Sequence, residues 1–406
     1  MTRRTGTGAA LVLSTLLAAG CASRVPAQAA ARDHGAAGHD APGDSAGHAA
    51  PGDLAGSADG AAAAAAAGAS APRVTAPGGP WRIYVGTESA DAVAVVDGRT
   101  WTIERQIPVG ISVEDIEGVH GLRLSPDGRH WYITLAHGFP YGTLWKFTTA
   151  GDSLAGRAEL GNFPATIGIT PDGAWAFVVN YNLHGDPRVD TVSAVYTPTM
   201  TEVAEIPVCT KPHGLDVSAD GRFVVVTCTR DDAIVRIDVG TLRESARGTV
   251  RLPDEAAAGK DCYATGVQLA PDGTTAWVSC GHANEVRTVD LSTFEVTDRA
   301  PGCAGAYLLE ADPEARTLWV PCRSGGEVVV LDAATLDLEG RIATTREFPH
   351  TVAFTPDGRY ALLTQESRGV IPGAVDVVDR RTLQKVGTMD IGLQATGIGV
   401  AGEAGD

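Results

Sequence analysis

Two segments of this 406-residue chain, Pro212-His213-Gly214 and Pro349-His350-Thr351, put an imidazole directly after a proline, and His120 stands in a comparable setting, Val119-His120-Gly121. A neutral imidazole is the commonest side-chain ligand of a transition metal and can also donate to, or accept from, a polar ligand. Other polar residues recur at fixed distances after short apolar runs: Glu88, Arg323 and Glu366 come one residue after such a run, and His137, Arg230 and His282 come two after it. If these side chains converge, two chemistries are open. A metal ion would be held by His120, His213 and His350, with His137 and His282 as a second tier. A small anion would instead select Arg230 and Arg323. A third reading needs no ligand at all, since a repeated imidazole can simply satisfy backbone groups. Glu114, Asp115 and Glu117, just ahead of His120, read as solvated carboxylates rather than ligands.

The cysteines follow a stricter pattern. Apart from Cys21 there are six, at 209, 228, 262, 280, 303 and 322, in three successive couples with intervals of 19, 18 and 19. The first of each couple lies shortly before an apolar run and the second closes the next one. This places both sulfurs at the same end of neighbouring strands and predicts disulfides Cys209–Cys228, Cys262–Cys280 and Cys303–Cys322. No Cys-x-x-Cys or Cys-x-x-Cys-His occurs, so neither a thiolate zinc site nor a covalently attached haem c is expected.

What positions these residues is a repeat. A turn recurs as Ser125-Pro-Asp-Gly128, Thr170-Pro-Asp-Gly173, Ser218-Ala-Asp-Gly221, Ala270-Pro-Asp-Gly273, a degenerate Ala311-Asp-Pro-Glu314 and Thr355-Pro-Asp-Gly358, at a period of about 42 to 52 residues. Proline fixes one backbone torsion, aspartate caps the turn and glycine supplies a positive φ. Each turn separates two β-rich runs and a third follows, so each repeat reads as four short strands, the unit of a propeller blade. Six repeats are complete, and Trp81 to Gly110 joined with the C-terminal run Gln394 to Val400 makes a seventh. The expected fold is therefore all-β: a seven-bladed propeller of four-stranded antiparallel blades, closed by its C-terminal strand, over residues 81–406.

The runs Ile83-Tyr84-Val85-Gly86-Thr87, Ala176 to Asn180, Val93 to Asp97, Val328 to Asp332 and Val375 to Asp379 resemble the YVTN repeat, and on them the chain is similar to the YncE-like, YVTN-repeat propeller family. That resemblance covers residues 81 to 400 and implies the fold far more than any activity. Similar propellers include the haem d1 domain of cytochrome cd1 nitrite reductase, the copper-cluster domain of nitrous oxide reductase and lactonases of the phosphogluconolactonase kind. This chain lacks a haem c motif and any nucleophile elbow that would argue hydrolysis. In a propeller, residues at equal phase share a face. The phase gathers the start of the inner strand, His120, Thr166, His213, Thr265, Tyr307, His350 and Thr396, around one mouth of the channel, with His184 in a nearby loop and His130 beside a turn on the other face.

The N-terminus sets the compartment. Arg3 and Arg4, the apolar stretch Leu11 to Leu17 and the sequence Leu17-Ala18-Ala19-Gly20-Cys21 resemble a bacterial lipoprotein signal, so residues 1–20 are expected to be removed and Cys21 to carry lipid. Residues 21–80, rich in Ala, Gly and Pro with His34, His39 and His48, read as a tether that need not fold. A net charge of −17 without a basic stripe excludes nucleic acid as a natural partner. The expected partners are an envelope protein or a small molecule, met by a lipid-anchored propeller facing the periplasm or cell surface. A redox or lactonase-like enzyme built around a transition metal or metallocofactor is the alternative.

Overall fold

The computed structural model describes residues 74–402 except 113, 139–140, 184–189 and 368. The signal segment, Cys21, nearly all of the tether with its histidines, and His184 lie outside the described residues.

The described chain forms seven four-stranded antiparallel sheets. Within each, strands run outward from the axis and are called A to D here; in the fourth blade they are Pro212–Val217, Phe223–Cys228, Ala233–Asp238 and Arg243–Thr249. Strand B of each blade is packed on both faces by its neighbours, which is why Phe223–Cys228 and Trp175–Asn180 are buried almost throughout and read as mostly apolar runs rather than alternating ones. Strand D is the solvent edge, and Thr102–Pro108 is accordingly exposed almost throughout. The C-terminal Ala395–Gly402 pairs with Trp81–Thr87, from Trp81 opposite Gly402 to Thr87 opposite Ala395, and closes the ring as the sequence implies. Closure supplies the first blade with its inner strand, so that all seven blades have four strands.

The recurring turns behave as their residues dictate. The Asp127 carboxylate accepts the Ser125 hydroxyl proton at 2.6 Å and the Arg129 amide at 3.0 Å, with Gly128 at φ 68°. Asp172, Asp220 and Asp357 repeat this with Thr170, Ser218 and Thr355. The hydroxyl bond holds the Asp220 carboxyl down at about 2.

Two devices shape the opposite face, where the D-to-A and B-to-C loops lie. First, strand A bulges just after its start in blades 2, 3, 4, 5 and 7, for example between Pro212 and Leu215 and between Pro349 and Val352. In blades 2, 4, 5 and 7 a strand-B hydroxyl fills the gap. Thr227 Oγ1 accepts the Gly214 amide at 3.0 Å and donates to the Thr265 carbonyl of the next blade at 3.1 Å. Thr134 does the same between Gly121 and Ala165, and Ser279 between Gly266 and Tyr307. Second, the last side chain of a B-to-C loop catches the next blade's D-to-A loop: Asp91 accepts the Gly118 amide at 2.7 Å, Asp232 the Tyr263 amide at 2.8 Å and Asn284 the Gly305 amide at 2.8 Å. Burial pushes the Asp91 and Asp232 carboxyls up even as these amides pull them down.

The D-to-A loop of blade 5 carries the one α-helix among the described residues, Pro253–Ala257. It is pinned by Arg287, a fully buried guanidinium bonded to Glu255, Glu285 and the Val250 carbonyl. Packing onto the propeller begins at Val74, ahead of Trp81: the Thr75 amide donates to the Val386 carbonyl at 3.2 Å and Trp101 Nε1 to the Ala76 carbonyl at 3.0 Å. Val386 and Trp101 both lie toward the turn face, so the chain enters the propeller opposite the loop face.

Candidate functional site

Because strand A bulges, the residue after its first position turns into the channel. In register that position is His120, Ala165, His213, Thr265, Tyr307, His350 and Thr396. Blade 3 corrects the sequence reading: Pro164, opposite Asn180, holds the place of Pro212 and Pro349, so Ala165 rather than Thr166 faces the channel. The methyl group leaves space that two aromatics from the same blade occupy. Phe163 stands just before the strand at φ 54°, and Tyr181 follows strand B.

The result is a closed circuit of six rings. Going round, centroid separations are 5.3 Å for His120–His350, 5.1 Å for His350–Tyr307, 5.2 Å for Tyr307–His213, 5.2 Å for His213–Tyr181, 5.9 Å for Tyr181–Phe163 and 5.2 Å for Phe163–His120. Edge contacts at these distances are the favoured geometry for aromatic pairs. All but Tyr181 are buried. Below this collar the channel holds a cavity of about 70 Å³ that reaches down past Asp216, Glu310 and Arg123. There Arg123 stands 3.7 Å from Glu310, whose carboxyl is pushed up by burial, as is that of Asp216.

The three strand-A histidines have different duties. His213 Nδ1 donates to the Thr265 carbonyl at 3.0 Å, leaving Nε2 to accept the Tyr307 hydroxyl at 3.0 Å, so both nitrogens are engaged within the wall. His120 Nδ1 meets Glu88 Oε2 at 3.2 Å, and His137 Nε2 meets Glu88 Oε1 at 2.8 Å. Gln394 Nε2 adds a third bond to the same carboxylate at 2.9 Å. His350 differs. Its Nδ1 lies 2.7 Å from Thr351 Oγ1, while Nε2, in a ring only 1% exposed, has no hydrogen-bond partner. Glu366 Oε1 stands 3.6 Å away, beyond hydrogen-bond reach, and is already held with its sister oxygen by Arg323. Burial, with His120 and Arg323 adding repulsion, lowers the His350 pKa well below the usual imidazole value, so the ring is neutral. Among the described residues no group of three or more His, Cys, Asp or Glu is arranged to hold a metal ion.

The remaining sequence candidates form the rim. Arg323 lies over the Tyr307 ring at 5.0 Å and the Phe348 ring at 5.3 Å, and Arg230 lies over Tyr263 at 5.9 Å. His282 stacks on Tyr263 at 4.1 Å and meets Asp261 Oδ1 at 2.8 Å, outside the collar. Glu117, expected to be solvated, is buried and accepts the Ile111 and Ser112 amides at 2.7 Å each, organising its own loop. The three disulfides pair as the spacing implies, with Cα separations of 5.8, 4.7 and 5.0 Å. Sequence reasoning missed Phe163, Tyr181, Lys211, Tyr263, Phe348 and Gln394. Five of these share one signal, a non-glycine residue at positive φ two before the channel position, at φ 54°, 56°, 56°, 57° and 58° for Phe163, Lys211, Tyr263, Phe348 and Gln394.

The description of the YNCE-like beta-propeller matches residues 16–359. The chain belongs to that family. No curated protein matches it. Solved structures similar to this YNCE-like propeller include a functionally unknown protein from Desulfotomaculum acetoxidans, 15% identical with a TM-score of 0.63 over 80% of this chain and 99% of that one. The periplasmic gluconolactonase PpgL of Pseudomonas aeruginosa is 16% identical, with a TM-score of 0.61 over 79% and 99%. The dihydro-heme d1 dehydrogenase NirN, in complex with DHE, is 16% identical with a TM-score of 0.53 over 80% and 76%. At these identities the likeness is one of fold.

Proposed function

We propose that this YNCE-like propeller is an exported, lipid-anchored binding module that seats a small polar ligand on the aromatic collar, against His350, Glu366, Arg323 and the Glu88 cluster. The observation that carries the reading is His350 Nε2. A buried polar atom left unpaired costs about 1–3 kcal/mol, and folds retain such atoms where something else completes them. Its neighbours supply the rest of a ligand site: a guanidinium, two buried carboxylates and a partly exposed imidazole, His137. Three disulfides agree with an oxidising compartment. Entry of the chain on the turn face would let an anchor at Cys21 present the mouth away from the membrane.

The test is nuclear magnetic resonance of the histidine ring nitrogens during titration with neutral polyols and sugar lactones. Saturable movement of the His350 Nε2 signal, absent for His130 on the other face, is the expected result. If no compound moves it, the ligand reading fails. Anchoring is checked separately by detergent partitioning of the native protein against Cys21→Ser.

A second reading, a lactonase-like enzyme, is favoured by one contact. His137 is backed by the Glu88 carboxylate at 2.8 Å with its ring 26% exposed at the mouth, the arrangement of an imidazole general base. Hydrolysis of a titrated lactone that is lost in His137→Ala while binding persists would select it. A redox role around a metallocofactor has no comparable observation behind it.

A further inference from the structure

We infer that the channel below the collar is a second site, entered from the turn face, for the ammonium-and-carboxylate head of a small zwitterion such as an α-amino acid. The seven strand-A residues that face the channel at the level of the collar are all buried, so the channel is shut there toward the loop face. Three residues further along strand A, opposite the third residue of strand B, lies another tier. Blades 2, 4, 5 and 6 contribute Arg123, Asp216, Gln268 and Glu310 to it. Here the Arg123 side chain is 44% exposed and that of Glu310 27%, so the cavity of about 70 Å³ opens toward the turn face.

Blades 2 and 6 stand nearly opposite each other in the ring. Beside Arg123, blades 1 and 3 supply Gly399 and Gly168, which leave it room to lean across the axis toward Glu310. The two side chains stop at 3.7 Å, longer than a hydrogen bond, and among the described residues neither makes a hydrogen bond within 3.5 Å. Five guanidinium N–H donors and a carboxylate thus face one another with their hydrogen-bonding capacity unspent. Asp216 is different, since its oxygens accept Gln268 Nε2 at 2.7 Å and the Leu269 and Val217 amides at 2.8 Å each. Its charge still counts.

The balance is therefore one guanidinium against two carboxylates. Burial pushes the Glu310 carboxyl up, and the Asp216 charge pushes it further, against the pull of Arg123. At the upper end of the cavity stand His120 and His350, and His350 is neutral. A lone anion entering here would meet two carboxylates, and a lone cation would meet Arg123. A zwitterion meets neither obstacle: its carboxylate takes the Arg123 fork, and its ammonium donates to Glu310 on the side where positive charge is short. Being neutral overall, it leaves the net charge of the chamber as it was. Size sets the rest. A water molecule occupies about 30 Å³, so the cavity admits a few non-hydrogen atoms and any larger part of the ligand must project toward the turn face.

The experiment is calorimetric titration of the disulfide-intact protein with glycine, and separately with methylamine and acetate, which carry one charged group each. Saturable glycine binding, about tenfold or more tighter than either single-charge probe, is the expected result. This series is read on the wild type, so it stands even where a channel variant folds poorly. Arg123→Gln and Glu310→Gln should each weaken glycine about tenfold or more. Arg129→Gln, which removes the same charge from an exposed turn on the same face, should leave it unchanged. His350→Gln should also leave it unchanged while abolishing the polyol response, which separates this site from the collar. No saturable glycine binding, methylamine or acetate binding as tightly as glycine, or equal weakening by Arg129→Gln overturns the inference.

Discussion

Glu366 grips Arg323 with both carboxylate oxygens while one of them, Oε1, stands 3.6 Å from the unpaired Nε2 of His350. A guanidinium and an imidazole thus face the same carboxylate, and only the guanidinium is bonded to it. Desolvation first, then the neighbouring His120 and Arg323, disfavour a charge on His350, and their effect outweighs the attraction of Glu88.

The pH dependence of stability follows from that arrangement. The native His350 pKa is depressed below the unfolded value of about 6.5, so below that value the unfolded chain binds the proton more readily. The associated stability is complete above about pH 6.5 and is lost as pH falls toward the native pKa, at up to about 1.4 kcal/mol per unit. Urea denaturation at pH 7.5, 6 and 5 should show His350→Gln losing less stability across this window than wild type. An equal slope in both would refute the assignment.

Glu88 is the most heavily bonded carboxylate at the mouth, with His120, His137 and Gln394 all on its two oxygens. Glu88→Gln turns one acceptor oxygen into a donor and sets it against at least one of them, so a loss of about 1–3 kcal/mol is expected. His137→Ala, at a ring 26% exposed, should cost less. Chemical denaturation ranks the two, and the reverse order would argue against Glu88 as the organising group.

Each disulfide closes a loop of 18 or 19 residues, which by chain entropy contributes about 3 kcal/mol. Replacing both Cys262 and Cys280 by Ala should lower stability by about 2–4 kcal/mol. Non-reducing peptide mapping checks the pairings themselves. A cross-blade peptide such as Cys228 with Cys262 would be incompatible with this structure.

Thr227→Val isolates the bond that joins blades. The hydroxyl accepts from Gly214 and donates to Thr265, and valine keeps the shape while leaving a buried amide unmet. A destabilisation of about 1–3 kcal/mol is expected, against little change for an exposed site such as Thr297→Val. Thermal and urea unfolding give the comparison.

Much of this architecture is written in local chemistry. The Pro-Asp-Gly turns state the blade period because each is a self-contained cap, as the Ser125–Asp127 bond shows, and the period together with an orphan C-terminal run implies seven blades and closure. The cysteine couples were legible for the same reason, since both members sit at one phase of the repeat and phase becomes position in a closed ring. That His120, His213 and His350 gather at one mouth follows from this too. What they do there was decided only by tertiary structure. His213 is spent on a carbonyl and a tyrosine from other blades, His120 on a carboxylate from blade 1, and His350 alone keeps a nitrogen unpaired. Those partners lie 52, 94 and 32 residues away in sequence, so no local pattern announces them. Phe163 and Tyr181 entered the collar because Ala165 is small and Pro164 sets the register, a consequence of packing around an axis that exists only once the ring has closed.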